Sequence, residues 1–268
     1  MSDDAVLQAQ RFMWSVGDYS ALARRLLPLT VELLDALGDI AGTRLLDVGV
    51  GDGNTAIEAA HRGASVAGLD LTPEMLDLAR GRASAEGVSL ELHEGNAESL
   101  PFDDASFDVV VSVMGMIFAP DHVRAMAELA RVCRPGGTVA ITAWAEGGWY
   151  EPWRSRAAKL VPAPASTGPT ADDWGIPAEA ARRFAAVGLT VEIEEGTLPW
   201  LFPSPVAAVD FFLESAGPFI AFQQAATEAG HGDEVRGAVL AAIEESNTAT
   251  DGTCAIPTPY ILVLGKRS

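Results

Sequence analysis

The feature that most constrains the fold is a repeated alternation of short apolar runs with amphipathic segments between residues 43 and 144. Five runs have the length and residue types of β-strands: TRLLDVG, ASVAGLDL, VSLELHEGN, FDVVVSVM and GTVAITAW. Helical patterns such as NTAIEAAHRG and DHVRAMAELARVC separate most of them. Strands that alternate with helices form parallel sheets, and their crossovers are right-handed. The pattern therefore predicts an α/β fold with a doubly wound sheet.

The rest of the chain adds two more strand patterns, LTVEIEEGTL and CAIPTPYILVLGK, which bring the predicted strands to seven. We expect a single domain over residues 1–268. It would have an N-terminal helical cap at 1–38, a ligand-binding core at 40–145 and a helical insertion at 203–250. Thr72, followed by a proline, is the expected N-cap of the helix after the second strand.

The chain is acidic, with 37 Asp and Glu against 18 Lys and Arg and a formal net charge of −19. Such a surface repels phosphate backbones and anionic lipid headgroups, so we expect a small-molecule substrate and neither nucleic acid nor a membrane as partner. Cys133 and Cys254 belong to no metal-binding pattern, and the segment MSDDAVLQ lacks the regions of a signal peptide. These features favour a cytoplasmic protein with both thiols in its core and no metal site.

The segment LLDVGVGDGNTA, residues 45–56, places Gly49, Gly51 and Gly53 between a predicted strand and a predicted helix. Glycine is favoured where a backbone turns sharply or a ligand approaches closely, and a helix that begins after such a turn suits a nucleotide-type ligand. A dinucleotide loop has the spacing GxGxxG, but Asn54 stands where its last glycine would be, which disfavours NAD. Taken alone, the glycines also fit a tight turn without a ligand.

With Asp47 ahead of the first glycine, this elbow resembles the acidic GxGxG loop of class I S-adenosylmethionine-dependent methyltransferases. The likeness is to the small-molecule, methyltransferase type 11-like group that modifies quinones and natural products, and it covers residues 40–145. It implies a Rossmann-like methyltransferase fold with an antiparallel last strand. It also implies S-adenosyl-L-methionine as cofactor, with its ammonium and carboxylate groups at the glycine loop.

Other cofactor-binding residues follow from the same resemblance: Asp70, Leu71, Asn96, Ala97, Ser112, Val113 and Met114. Asp70 ends the second predicted strand, where a carboxylate can accept both ribose hydroxyls; a helix-capping or solvated residue is the alternative. Asn96 stands where the family usually has Asp. Its amide oxygen can still accept from the adenine amino group, with the Ala97 N–H at a ring nitrogen, or Asn96 is only a turn former.

Fewer residues of the sequence indicate where the methyl acceptor would bind. By resemblance, Met116 and Phe118 lean toward the methyl acceptor, although ordinary core packing would explain them equally well. In the insertion, Phe211, Phe212 and two neighbouring phenylalanines predict a substrate lid, a homodimer contact or a satellite core. The fourth strand lacks the (Asn/Asp)-Pro-Pro-(Tyr/Phe) signature used to methylate planar amino groups, which disfavours bases and glutamine as acceptors.

Two residues are candidate catalytic groups. His122 begins the helix after the fourth strand and could act as a general base at the pocket mouth; an exposed first-turn residue is the alternative. Tyr19 could cover the cofactor from the N-terminal helices, or it is an anchoring aromatic.

The leading hypothesis is methyl transfer by in-line displacement to a small apolar or aromatic metabolite. The alternatives are a cofactor-bound enzyme of secondary metabolism that catalyses cyclisation or rearrangement, a cofactor-sensing binding subunit and, least favoured, a nicotinamide oxidoreductase.

Overall fold

The computed structural model of this protein describes residues 3–161 and 170–268, so part of the predicted loop VPAPASTGPTADDWG lies outside the described residues. The helices are α1 (Asp3–Ser15), α2 (Tyr19–Leu37), α3 (Asn54–His61), α4 (Pro73–Ala85), α5 (His122–Val132), α6 (Tyr150–Leu160), α7 (Pro177–Ala186), α8 (Pro205–Ser215), α9 (Gly217–Glu228) and α10 (Gly232–Ser246). The strands are β1 (Arg44–Val48), β2 (Ser65–Asp70), β3 (Glu91–Glu94), β4 (Phe107–Val113), β5 (Cys133–Trp144), β6 (Leu189–Phe202) and β7 (Cys254–Arg267). Short 3-10 turns lie at Met116–Phe118 and Ala171–Gly175.

The seven strands form one sheet in the order β3-β2-β1-β4-β5-β7-β6. Strands β1 to β5 pair in parallel, whereas β7 runs antiparallel to β5. The predicted doubly wound, seven-stranded sheet with an antiparallel last strand is confirmed. Strand order reverses between β1 and β4, and ligands of open parallel sheets bind at the carboxyl ends of strands at such a reversal.

The chain divides into two compact units. The first contains α1, α6, α8, α9 and α10, and the second contains β1 to β5 with α3, α4, α5 and α7; β6 and β7 contribute residues to both. The first boundary falls inside α2, after Arg25, rather than at the end of the helical segment 1–38. The expected single domain stays a prediction.

The second unit is built around strands that are buried on both faces. Every residue of β1 after Arg44 and of β2 after Ser65 is buried, as parallel sheets covered by helices require. One apolar cluster joins Leu34 of α2 and Ala56 of α3 to Val111 of β4. This burial on both faces of the sheet explains why the strands are nearly continuous apolar runs in the sequence.

The first unit has an aromatic core. The ring of Trp149 lies 4.4 Å from that of Phe212 and stacks on Phe219 at 5.5 Å, and Trp153 stacks on Phe219 from 5.0 Å. Phe212 and Phe219 are both buried. For these two rings the structure shows core packing, while a lid function of the insertion stays a prediction.

Three local features can be compared with the sequence pattern: a segment of β5, the start of α4 and the two cysteines. Pro135, Gly136 and Gly137 are residue types typical of a turn, but they lie in an irregularity inside β5, since the register with β4 passes from Phe107 and Cys133 directly to Val109 and Thr138. Thr72 is the N-cap residue of α4 as expected, with a proline at the first helical position, but its side chain makes no capping hydrogen bond. The prediction that both cysteines are buried is confirmed.

Among the described residues, no single helix is long and apolar enough to cross a membrane. The bent pair of α8 and α9, with an angle of 85° between its helices, passes the same test by length and composition only.

Candidate functional site

The glycine elbow connects β1 to α3. Gly49, Gly51 and Gly53 have φ values of +75°, +54° and +95°, all in the left-handed region that disfavours other residues. Helix α3 begins directly after Gly53, which provides no side-chain cap, so its first backbone N–H groups lie behind the elbow. The GxGxG pattern is therefore explained by three left-handed positions that alternate with other residues in one turn.

Gly49 also lies at a close approach of two backbones. A Cβ atom added to it would come within 2.9 Å of the Gly115 Cα, in the loop that follows β4. The N–H groups of Gly49 and Val50 both donate to the Leu69 carbonyl, at 2.8 and 2.9 Å. These contacts hold the elbow against the ends of β4 and β2 at the reversal of strand order.

Two carboxylates flank the elbow. Asp47 on β1 is fully buried and hydrogen-bonds the Ala56 backbone; burial, and secondarily the charge of Asp70, raise its pKa to about 7. Asp70, at the end of β2, accepts from the Gly51 N–H at 2.9 Å and the Thr72 N–H at 3.0 Å. Burial also raises the pKa of Asp70.

No cationic side chain of residues 3–161 and 170–268 forms an ion pair with Asp47 or Asp70. Buried charges in proteins are ordinarily paired, and removing an ion from water without a partner costs several kcal/mol. This pair of carboxylates therefore suits a ligand that brings positive charge and hydroxyl donors.

A third carboxylate, Asp52, is neutralised from α4, and sequence reasoning missed it. Arg82 approaches the Asp52 carboxylate at 2.8 Å, and its guanidinium donates to the Asn54 side-chain oxygen at 2.8 Å. The same guanidinium donates to the Asp52 carbonyl at 3.2 Å. Arg82 thus fixes the far side of the elbow.

The loop after β4 carries several predicted site residues. Ser112 is buried; its hydroxyl donates to the Val48 carbonyl at 2.6 Å and accepts from the Met116 N–H at 2.8 Å. Met114 has φ +52°, and its N–H donates to the Thr142 hydroxyl at 3.1 Å. A left-handed non-glycine residue is uncommon and concentrates at functional sites. Met116 is buried and Phe118 is half-buried.

Asn96 and Ala97 lie in a turn after β3. The Asn96 side-chain oxygen accepts from the Glu98 N–H at 3.0 Å, and its carbonyl accepts from the Ser99 N–H at 2.9 Å. The turn-forming role is therefore present, and the amide oxygen keeps a second lone pair for a ligand. Leu71 follows Asp70 and is half-buried.

The candidate catalytic groups lie in different units. His122, in the second, is buried rather than exposed, and its Nδ1 lies 2.8 Å from Nη1 of Arg183. Tyr19, in the first, makes an edge contact with Trp14 at 6.2 Å between ring centroids. Phe211 lies in the first unit too, with the Arg25 guanidinium 4.6 Å from its ring. No group of three or more potential metal ligands occurs in the described ranges.

Comparisons with known proteins bear on this geometry. Residues 46–141 match the family model described as a methyltransferase domain. An uncharacterized protein of Mycobacterium tuberculosis H37Rv is 40% identical over 212 residues, which cover 78% of this chain and 77% of that protein. The demethylmenaquinone methyltransferase of Deinococcus radiodurans is 43% identical over 100 residues, covering 37% of this chain and 42% of that enzyme.

A solved protein of Bacillus halodurans C-125 has the same fold, with a TM-score of 0.63 and 17% identity over 89% of this chain and 99% of that chain. The matched family segment begins inside β1 and ends inside β5, and so contains the elbow, both carboxylates and the loop after β4. The chain belongs to the class I S-adenosylmethionine-dependent methyltransferases.

Proposed function

We propose that this methyltransferase binds S-adenosyl-L-methionine on the Gly49–Gly53 elbow and transfers its methyl group to a small apolar or aromatic acceptor. The observation that carries the cofactor part is the buried pair Asp47 and Asp70, with which no cationic side chain of the described residues forms an ion pair, beside three left-handed glycines. S-adenosylmethionine carries an ammonium, a sulfonium and two ribose hydroxyls, so it supplies the charge and the donors that this pair lacks.

The acceptor part rests on the name of one relative and on the net charge of the chain. The relative from Deinococcus radiodurans is named for a demethylmenaquinone substrate, a quinone, and the likeness to it covers 37% of this chain. The net charge of −19 disfavours polyanionic acceptors. We therefore propose a quinone-like or related natural product as acceptor class, with the substrate role of Met116, Phe118, Phe211 and Phe212 part of the same proposal.

The residues of the elbow hold the cofactor and need not take part in proton transfer. When bound, S-adenosylmethionine supplies an electrophilic methyl group on a positively charged sulfur. Asp70 would accept hydrogen bonds from the ribose, Asp47 would lie near the ammonium group, and the loop after β4 would exclude water from the reacting atoms. Because Nδ1 of His122 is engaged by Arg183 and the side chain is buried, an acceptor of low pKa, such as a phenol, fits this site best.

Calorimetric titration with S-adenosylmethionine tests the cofactor site. We expect the wild type to bind and Asp70→Asn to bind roughly 10- to 100-fold more weakly, because hydrogen bonds to a charged group contribute about 1.5–3 kcal/mol each. Asp77→Asn is the control, since Asp77 is an exposed residue of α4 paired with Arg80. Absence of heat and of a thermal shift at millimolar cofactor would refute the proposal.

A second experiment separates methyl transfer from cyclisation and from cofactor sensing. The protein is incubated with methyl-labelled cofactor and a panel of hydroquinones and phenols. Label in the product requires a transferase. Conversion without label would identify the rearranging enzyme, and binding without any conversion would favour the sensing subunit.

A further inference from the structure

His122 is the centre of a buried polar network in the second unit. Its side chain is 3% exposed, and its ring lies 5.4 Å from that of Trp174. Nδ1 is 2.8 Å from the Arg183 guanidinium on α7, and another ring contact is a hydrogen bond to the backbone of Ile117. Ile117 belongs to the 3-10 turn Met116–Phe118, so the imidazole connects the loop after β4 to α7.

The partners determine the protonation state of this imidazole. A guanidinium has five donors and no acceptor, so Nδ1 must offer its lone pair to Arg183. The ring proton is then on Nε2, where it can donate to the Ile117 carbonyl. Burial, and secondarily the positive charge of Arg183, lower the pKa of His122 and favour this neutral form.

Arg183 is itself fixed by three neighbours. Its Nε donates to Glu179 at 2.8 Å, its Nη2 lies 4.0 Å from the Asp173 carboxylate, and its guanidinium lies 4.4 Å from the centre of the Trp174 ring. Glu179 and Asp173 neutralise a cation that is 7% exposed. Arg183 is therefore a rigid donor, and His122 is the neutral group that it can reach.

The segment that carries Asp173 and Trp174 is packed on the end of β5. A Cβ on Gly175 would overlap the carbonyl of Trp144, the last residue of that strand. The charged groups that face His122 are thus Asp121 from the start of its own helix, Asp173 from this segment and Arg183 from α7, with Glu179 behind Arg183.

We infer that His122 is a positioning residue: its neutral imidazole links the loop Gly115–Phe118 to Arg183, and protonation of Nδ1 breaks the link to Arg183 while Nε2 can still donate to Ile117. Proton uptake fills the lone pair that accepts from Arg183 and adds a second positive charge beside the guanidinium. The loop contains the backbone that meets Gly49 of the elbow. The inference rests on the proposed function, because it makes cofactor affinity fall when His122 is protonated.

The first test reads the imidazole directly. In ¹⁵N-histidine NMR spectra of the full chain, we expect His122 to be the Nε2–H tautomer and to stay neutral below pH 6.5. His122→Asn assigns the signal. A His122 that titrates near pH 6.5, or that carries its proton on Nδ1, would overturn the inference whether or not the cofactor binds.

The second test follows S-adenosylmethionine affinity from pH 8 to 5.5 in the wild type, His122→Asn and the control His61→Asn. The asparagine oxygen keeps an acceptor near Arg183 but takes up no proton. Because Asp47 also titrates in this range, the informative quantity is the ratio of variant to wild-type affinity. We expect His122→Asn to bind about as well as the wild type at pH 8 and to lose roughly tenfold less affinity on acidification.

The outcomes separate the inference from the proposed function. His122→Leu, which has no acceptor, should bind weakly at every pH, so recovery by the asparagine variant marks the hydrogen bond as the cause. A constant ratio for His122→Asn overturns the inference alone. Failure of the wild type to bind at any pH overturns the proposed function first.

Discussion

Asp47→Asn should stabilise the free protein at alkaline pH and weaken its cofactor binding. The substitution keeps the size of the side chain and an acceptor for the Ala56 N–H, but it removes a buried negative charge that faces Asp70 and has no cationic partner in the part of the chain that the structure describes. The free site thus carries an unfavourable buried charge, which the bound cofactor would neutralise.

The magnitude follows from the pKa of Asp47. Burial raises it from 3.8 to about 7. A carboxyl group whose pKa is raised by folding contributes stability that is fully present below its unfolded value and is lost as pH rises through its folded value. A shift of about three units corresponds to about 4 kcal/mol at most. At pH 8 we expect Asp47→Asn to gain roughly 2–4 kcal/mol over the wild type.

Thermal unfolding between pH 5 and 8 is the assay. For a chain of this length a gain of 2–4 kcal/mol raises Tm by roughly 4–12 °C, and the gain should shrink as pH falls below 7. Saturating S-adenosylmethionine should narrow this difference in Tm, because a ligand at a hundred times its Kd stabilises the wild type by about 2.7 kcal/mol and the variant by less.

Asp52→Asn is the matched control, because Asp52 is also buried in the elbow but is paired with Arg82. Its substitution should lower Tm by leaving that guanidinium without its carboxylate. The reasoning is refuted if Asp47→Asn melts below the wild type at pH 8, or if the difference in Tm is the same at pH 5 and pH 8.

Two further predictions concern a matched pair of glycines and the two cysteines. Gly49→Ala and Gly38→Ala both place a side chain at a φ near +75°, but only Gly49 has a backbone, that of Gly115, within 3 Å of the new Cβ. Gly38→Ala should cost about 1–2 kcal/mol of unfolding free energy in denaturant titrations and Gly49→Ala clearly more, and equal costs would contradict the close approach. Cys133 and Cys254 are buried and burial raises both pKa values, so neither thiol should react with a disulfide reagent at pH 8 until the chain is unfolded; fast labelling of the native protein would contradict this.

The parts of the fold that could be predicted from the sequence are those with local causes. Strands β1 to β5 are apolar runs because both sheet faces are buried, and the glycines of the elbow stand where the backbone is left-handed. The start of β5 at Cys133 could not be predicted, because Pro135 and two glycines resemble a turn and only pairing with β4 makes the segment a strand.

The side-chain partners of the site residues could not be predicted from the sequence. Arg82 lies 28 residues from Asn54 in the sequence, and Arg183 lies 61 residues from His122. Neither separation produces a periodic signal, so His122 was expected at a pocket mouth, whereas the structure buries it. The left-handed Met114 likewise has no sequence signal, since methionine is not a residue that favours this conformation.

The clamp of Arg82 on Asp52 and Asn54 also bears on how tightly a cofactor could be held. A loop of several glycines would otherwise lose much backbone entropy when a ligand orders it. Because Arg82 of α4 already immobilises the outer side of the turn, this backbone entropy is lost during folding. A cofactor that binds afterwards finds the loop preorganised. Removing the Arg82 guanidinium should therefore make the entropy of cofactor binding more unfavourable, while the contacts between the loop and the cofactor stay the same.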